Sequence, residues 1–476
     1  MTAPRAFELA GSGLVVLAVA VAAISSIVMA PADLDRCAEA VWLGKQIFAA
    51  HAIPVVFGPG SAASSAASGS IGWLAQLVVA IVARGHSAAA GCAAIATVAV
   101  FTCFAFVGAR TARLAAPAFV ALAIALVFAS AIDVFRIGGA TAILAFGAAY
   151  AFALDRETRG GLALLAVVVI FWCNADASGV LAPILALANA IGRTIETREF
   201  APARHAWLAF AVTFASLFAT PALGAYPLLA FRSLRLAGSF GEAIPWAPAT
   251  LAPLSYHVGF TVLVLGMLAF GVRARGARDA VVASVAILVS LANADLLPLA
   301  TIVVAPTLAV AAARANSAWL PRFGHLVRPR PGRATFVLIA AIGAFAVGSF
   351  GFVVVRGETT LSNDERTHET LHALAMRGTI RRVACVDLRS CDGAVALGLH
   401  VLADERIGAM PSSVRRAQAT IARARHGWRI DLATYGIDAV VAERRSPLAA
   451  LLEEVGWRNV SPSGGLVVFV RPSVRT

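Results

Sequence analysis

The sequence predicts an α-helical polytopic membrane protein of about eleven transmembrane helices, followed by a small C-terminal α/β domain. Three observations carry this. Of the 476 residues 59% are hydrophobic and only 14% are charged, whereas a soluble domain runs near a quarter charged. Apolar runs long enough to cross a bilayer recur from residue 9 to residue 355. Beyond residue 355 the chain turns charged, polar and punctuated. Disorder, a collagen-like chain and a water-soluble enzyme are excluded for most of the length.

A spanning helix needs ~20 apolar residues. The first run, Leu9 to Ala30, is long enough. Val28-Met29-Ala30 resembles a signal-peptide cleavage site, but Pro31 directly after it and the length of the run favour a retained helix. Further runs cover residues 87–108, 115–133, 137–154, 161–173, 177–192, 206–222, 257–272, 279–293, 297–313 and 334–355. The run 71–83 is too short to span and reads as a re-entrant or interfacial helix.

The net charge is +13, from 39 Lys+Arg against 26 Asp+Glu. The basic residues sit in short loops between apolar runs, the positive-inside signature of a membrane protein, and nucleic acid is rejected as a partner. With the N-terminus inside, the inner loops hold Arg110 and Arg113, Arg156 and Arg159, Arg193, Arg198 and Arg204, Arg273, Arg275 and Arg278, and the stretch from Arg314 to Arg333. Counting 71–83 as a full span breaks this agreement. The organisation expected is a transmembrane domain at 1–355, its extracytoplasmic first loop at 31–86 carrying interfacial helices, and a soluble α/β domain at 356–476.

In the tail, Ile380–Asp387, Ala439–Glu443 and Leu466–Val470 read as strands. Ser412–Arg425 and Pro447–Val455 have helical spacing, the second with Ser446 as its N-cap. No glycine-rich phosphate loop is present. Gly58–Ser70 is a low-complexity Ser/Ala loop. The six cysteines form no metal-binding CxxC pair. Cys92, Cys103 and Cys173 lie in apolar runs and read as small core residues, while the spacing of Cys385 and Cys391 leaves their pairing open.

Ionisable residues at membrane depth are costly and count as functional candidates. Those at the outer helix ends include Asp33, Asp35, Glu39, Arg136, Asn174, Asp176, Arg232, Arg235, Glu242 and His257. The segment after the first span reads as an amphipathic interfacial helix with Val41, Ile47 and Phe48 along one stripe and Trp42 as a headgroup anchor. A carboxylate at its start has two chemical uses, as a hard oxygen ligand to a divalent cation or as a general base toward an acceptor hydroxyl; the spacing alone favours a solvated helix cap. Arg136, Arg232 and Arg235 break the positive-inside pattern. Arginine suits bidentate phosphate binding, and snorkelling to ordinary headgroups is the alternative. Polar caps account for Asn174, Asp176 and Asn293 with Asp295, and single structural roles account for Glu242 and His257.

Taken together, a first span, an acidic loop leading into an interfacial helix, many further spans and an outer tail resemble the GT-C glycosyltransferase superfamily. The motifs are Asp33-Leu-Asp35, Gly44-Lys-Gln-Ile47 and Ile53-Pro54 in the first loop, then Phe171-Trp172-Cys-Asn174, Thr220-Pro221-Ala-Leu-Gly224, and Glu242 with Trp246. The tail adds Tyr435-Gly-Ile-Asp438, Ser446-Pro447-Leu and Gly456-Trp457-Arg458. The likeness covers essentially the whole chain, through short motifs.

The resemblance implies a membrane glycosyltransferase of the bacterial cytoplasmic membrane, with the N-terminus cytoplasmic and the tail outside. It would move a sugar from a polyprenyl-phosphate carrier to an extracytoplasmic acceptor. Asp35, with Asp33 and Glu39, is the implied catalytic group, with or without magnesium or manganese held at Asp35. Arg136, Asn174, Asp176, Arg232, Arg235, Glu242 and His257 are the implied substrate-binding set. Glu39 and Asp176 depart from the histidines that relatives carry there, so a catalytically degenerate scaffold or transporter-like protein stands as the other reading.

Overall fold

The computed structural model describes residues 34–50, 72–84, 88–112, 140–236, 276–293, 296–319, 365–386, 388–403, 412–461 and 466–472, with short pieces within 123–127 and 260–264. The expected spans at 9–30, 115–133, 257–272 and 334–355 lie wholly or mostly outside these residues. Two compact units are present. One comprises residues 1–30, 93–223 and 246–355, and the other residues 31–92, 224–245 and 356–476.

The first unit is helical. Its elements are α3 (Ala88–Ala112, which begins in the second unit), α4 (140–154), α5 (Arg159–Ala175), α6 (Leu181–Thr197), α7 (Phe200–Ser216), α9 (Ala277–Ala292) and α10 (Leu297–Trp319). Among the described residues two segments are long and apolar enough to cross a membrane, Ala94–Thr111 and Ala177–Thr197. The core mixes large and small side chains: Val100, Phe104 and Val107 of α3 meet Leu144 and Ala148 of α4 and Ile302, Ala305 and Ala309 of α10. Small residues let helix backbones approach closely where lipid gives no hydrophobic drive to association.

Two irregularities are built into this packing. Residues Ile143–Gly147 of α4 form a π-turn, the kind of local bulge that inserts a residue into a helix. In α10, Pro306 sits inside the helix and cannot donate to the carbonyl four residues before it. That carbonyl belongs to Ile302, and Arg110 supplies the missing donor: its guanidinium reaches Ile302 O at 3.3 Å and Val303 O at 3.1 Å.

The second unit joins segments far apart in sequence. Helix α1 (Leu34–Ala50) crosses α2 (Trp73–Val82) at Gly44, where a Cβ would stand 2.2 Å from the carbonyl oxygen of Gln76. Only glycine permits that approach, which gives the Gly44 motif a packing role. Val41, Leu43 and Ile47 of α1 are buried, whereas Phe48 is 56% exposed and lies beneath the Arg84 guanidinium at 4.6 Å. The expected stripe of Val41, Ile47 and Phe48 is thus rotated to Val41, Leu43 and Ile47.

The tail holds helices α11 (Glu365–Met376), α12 (Leu388–Ala396), α13 (Ser412–Ala422), α14 (Trp428–Thr434) and α15 (Pro447–Glu454) around a five-stranded sheet. In chain order its strands are β1 (Arg382–Cys385), β2 (His400–Val401), β3 (Ala439–Glu443), β4 (Arg458–Asn459) and β5 (Leu466–Val470), arranged 2-1-3-5-4. The first three are parallel, with Val383 opposite Val401 on one side of β1 and opposite Ala439 on the other. Strands β3, β5 and β4 pair antiparallel. Residues 439–442 are all buried, the continuous apolar run of a strand covered on both faces. The Asp438 carboxylate accepts from the amides of Arg381 and Arg382, each at 3.1 Å, fixing the head of β1 beside β3. Ser446 caps α15 by accepting from the Ala449 amide at 3.2 Å. The expected strands and two expected helices are present; α11, α12 and α14 and the two-residue edge strands β2 and β4 had no sequence signal strong enough to be read.

Candidate functional site

Helix α1 carries the first-loop acids. Asp35 is its second residue and Glu39 stands one turn later. The side chains of both lie outside the described residues, as does Asp33 altogether. Cys37, between the two acids, is bonded to Cys92 in the first turns of α3, with their Cα atoms 6.0 Å apart. This corrects the reading of Cys92 as a lone core residue. The error is physical: an apolar neighbourhood and a disulfide suit the same small buried side chain, and 55 intervening residues leave no local spacing to betray the pair. Cys385 and Cys391 are also bonded, with a Cα separation of 5.6 Å. Both bridges fall in the second unit, while the free cysteines Cys103 and Cys173 are buried in the first.

Six residues along α1 from Cys37, the helix enters the core of the tail. Leu43 is 1% exposed and shares one cluster with Leu371, Ile380, Val383, Val395, Val401 and Val468. Trp42 packs partly buried against the same cluster, a place other than the headgroup position expected for it. The acid-bearing helix is therefore a core element of the tail, whose cluster partners for Leu43 lie more than 300 residues away. The second unit also includes the segment 224–245, in which α8 (Tyr226–Leu236) carries Arg232 and Arg235 three residues apart. Their side chains, and Arg136, Glu242 and His257 entirely, lie outside the described residues.

Asn174 and Asp176 are in the first unit and hold a corner between α5 and α6. The Asn174 amide donates to Ile170 O at 2.8 Å and to Ala219 O at 3.0 Å, which ties the Trp172–Asn174 segment to the turn at Thr220-Pro221. The Asp176 carboxylate accepts from the Ser178 amide at 2.8 Å and from the Ser178 hydroxyl, capping the single 3-10 turn Ala177–Val180. Trp172 Nε1 donates to Ser178 Oγ at 2.9 Å. Gly179 passes so near Cys173 that a Cβ would meet its backbone at 2.8 Å. Here the tryptophan, asparagine and aspartate shape the turn between α5 and α6.

A polar cluster that sequence reading did not pick out lies elsewhere in the first unit. Asp155 accepts from Arg110 Nε at 2.5 Å and from Arg278 at 3.0 Å, and Arg278 Nε also donates to Asn189 Oδ1 at 2.6 Å. These groups and Tyr150, Asp279 and Thr307 line a small cavity. The available signal was Asp155 itself, an acid at the end of an apolar run beside Arg156 and Arg159. The cluster places both arginines against one carboxylate, which offsets one of their two charges, and it joins the ends of α3, α4 and α9 with the middle of α6 and with α10. Among the described residues no group of three or more His, Cys, Asp or Glu could hold a metal ion.

No protein-family model matches the chain, and no curated protein matches it. Solved structures do. The apo oligosaccharyltransferase of Archaeoglobus fulgidus superposes with a TM-score of 0.52 at 10% identity, over 90% of this chain and 69% of that one. The same enzyme tethered to an acceptor peptide containing the NVT sequon gives 0.51 at 9% identity, over 95% and 73%. ArnT from Cupriavidus metallidurans bound to undecaprenyl phosphate gives 0.49 at 14% identity, over 98% and 99%. The fold is thus like that of the archaeal oligosaccharyltransferase, largely helical with a small C-terminal sheet domain.

Proposed function

We propose that this GT-C-like membrane protein is a glycosyltransferase that moves a sugar from a polyprenyl-phosphate carrier to an extracytoplasmic acceptor. The observation that carries the reading is the position of Asp35, in the first turn of a helix that Leu43 fixes in the tail's core, within a chain of GT-C-like fold. The oxygen of an acceptor hydroxyl attacks the anomeric carbon, the bond from that carbon to the phosphate oxygen breaks, and the electron pair leaves with the polyprenyl phosphate. Asp35 takes the hydroxyl proton as general base, with Asp33 and Glu39 beside it in sequence. Arg232 and Arg235, with Arg136, balance the charge on the departing phosphate. Magnesium or manganese at Asp35 would supply a Lewis acid for the acceptor oxygen. Glu242 and His257 complete the proposed substrate contacts, and Asn174 and Asp176 act by holding the corner described above.

The topology proposed with this is eleven spans, a cytoplasmic N-terminus, a transmembrane domain at 1–355 and an extracytoplasmic domain at 356–476, in a bacterial cytoplasmic membrane. Two disulfides in the second unit and none among the described cysteines of the first support an oxidising location for the first loop and the tail. The test is to purify the full chain, extract its bound lipid for mass spectrometry, and supply a panel of polyprenyl-phosphate pentoses and hexoses with release of polyprenyl phosphate as readout. Release from at least one carrier is expected. Absence of both bound polyprenyl lipid and release favours the scaffold reading, to which the engagement of Asp176 as a helix cap already lends an argument.

A further inference from the structure

The tail presents a basic surface that the transfer reaction does not use. Between Glu405 and Asp431 there is no acidic residue, yet Arg406, Arg415, Arg416, Arg423, Arg425 and Arg429 fall there with His426. On α13 the buried positions are Val414, Ala417, Gln418 and Ile421, one helical face turned to the core. Arg416 and Arg423, seven positions apart, stand on the opposite stripe and are exposed. The chain then turns, exposing Arg425 and His426, and α14 buries Trp428 and Leu432 while exposing Arg429 and Ile430. Among the described residues no carboxylate pairs with Arg416, Arg425 or Arg429. The Arg429 guanidinium lies over the Trp428 ring at 5.4 Å, which holds its side chain in one region. Ile430, which follows Arg429 in the chain, is 68% exposed.

We propose that the α13–α14 face docks on the anionic phosphate surface of the bilayer in which the chain is embedded. The guanidiniums of Arg416, Arg425 and Arg429 are complementary to lipid phosphates, and a cluster of basic residues near an anionic leaflet is drawn to it. Ile430 decides between a lipid surface and a soluble polyanion: an exposed aliphatic side chain beside Arg429 gains from entering the headgroup boundary and gains nothing on a hydrated anionic glycan. The face is tethered to a membrane protein, so its effective concentration at the bilayer is high and each contact need only be weak. This inference does not depend on the chain being a transferase.

The test uses the full chain in nanodiscs of phosphatidylcholine alone or with one-third phosphatidylglycerol, followed by hydrogen–deuterium exchange. Peptides covering 412–430 should exchange at least about threefold more slowly in the anionic discs, from basic side chains each contributing near an anionic surface. The triple variant Arg416→Gln, Arg425→Gln, Arg429→Gln should erase that difference while exchange in β1, β3 and β5 is unchanged. Ile430→Ser should reduce it in part. Equal exchange in both discs overturns the proposal. So does protection in phosphatidylcholine discs on adding heparin, if phosphatidylglycerol gives none, since the face would then recognise a soluble polyanion.

Discussion

Cys37 is covalently joined to Cys92 two residues after Asp35. The bond closes the first loop, including the Ser/Ala stretch, into a ring pinned at the start of α3. Closing a loop with a sequence separation of 55 removes denatured-state entropy worth about 4 kcal/mol in the chain-entropy account. The double variant Cys37→Ser, Cys92→Ser should therefore lower the thermal midpoint of the detergent-solubilised protein in a non-reducing scan. Peptide mapping without reduction should recover the two cysteines in one linked fragment. Separate fragments carrying free thiols would remove the bridge from the account.

Leu43→Ala tests whether α1 belongs to the tail's core. Truncating a buried leucine costs about 2–5 kcal/mol, according to how far the site collapses. The expected result is faster hydrogen exchange in β1 and β3, more than 300 residues away, with exchange in α6 and α9 unchanged. Leu43→Met should restore most of the protection, because the two side chains are close in volume. Loosening confined to residues 34–50 would contradict the shared core.

The motifs of the first loop and the tail were legible because they are local. Val440 and Val441 sit in a run that only a doubly covered strand explains, and Ser446-Pro447 announces a helix start in the sequence itself. Gly44 was legible as a motif, yet its reason, the carbonyl of Gln76, was not, because a helix crossing has no signature in either helix alone. The same applies to Asp155, whose two arginine partners come from positions 110 and 278. Leu43 and Phe48 were misjudged because hydrophobic periodicity fixes a face only to within the angle between neighbouring positions, and the tail that selects Leu43 is absent from that local pattern. Asp33 and Asp35 were read as the cap before an interfacial helix, and the structure places Asp35 within that helix and adds what the helix is anchored to.

Arg110 and Pro306 should be energetically coupled. Arg110→Met removes the donor to Ile302 O and takes from Asp155 one of its guanidinium partners while Arg278 stays, and breaking such a partly buried pair costs about 3 kcal/mol. Pro306→Ala restores a backbone N–H that can bond the same carbonyl. In a double-mutant cycle the second change should make the first milder by about 1 kcal/mol, the net worth of one hydrogen bond. Strict additivity would mean that Arg110 acts through Asp155 alone.

Gly44→Ala should disrupt the crossing of α1 and α2, since the added Cβ would stand 2.2 Å from a backbone oxygen that cannot rotate away. A loss of about 1–3 kcal/mol is expected from overpacking of this kind, read as a lower thermal midpoint. Unchanged stability would show that the two helices separate without cost.

The most direct measurement is transfer by Asp35→Asn, using the polyprenyl-phosphate sugar that the wild-type chain turns over. The account predicts release of polyprenyl phosphate lowered at least about a hundredfold, in the range general-base catalysis supplies, with expression, thermal midpoint and bound lipid as in the wild type. An Asp35→Asn protein that turns over at the wild-type rate would contradict the role assigned to Asp35.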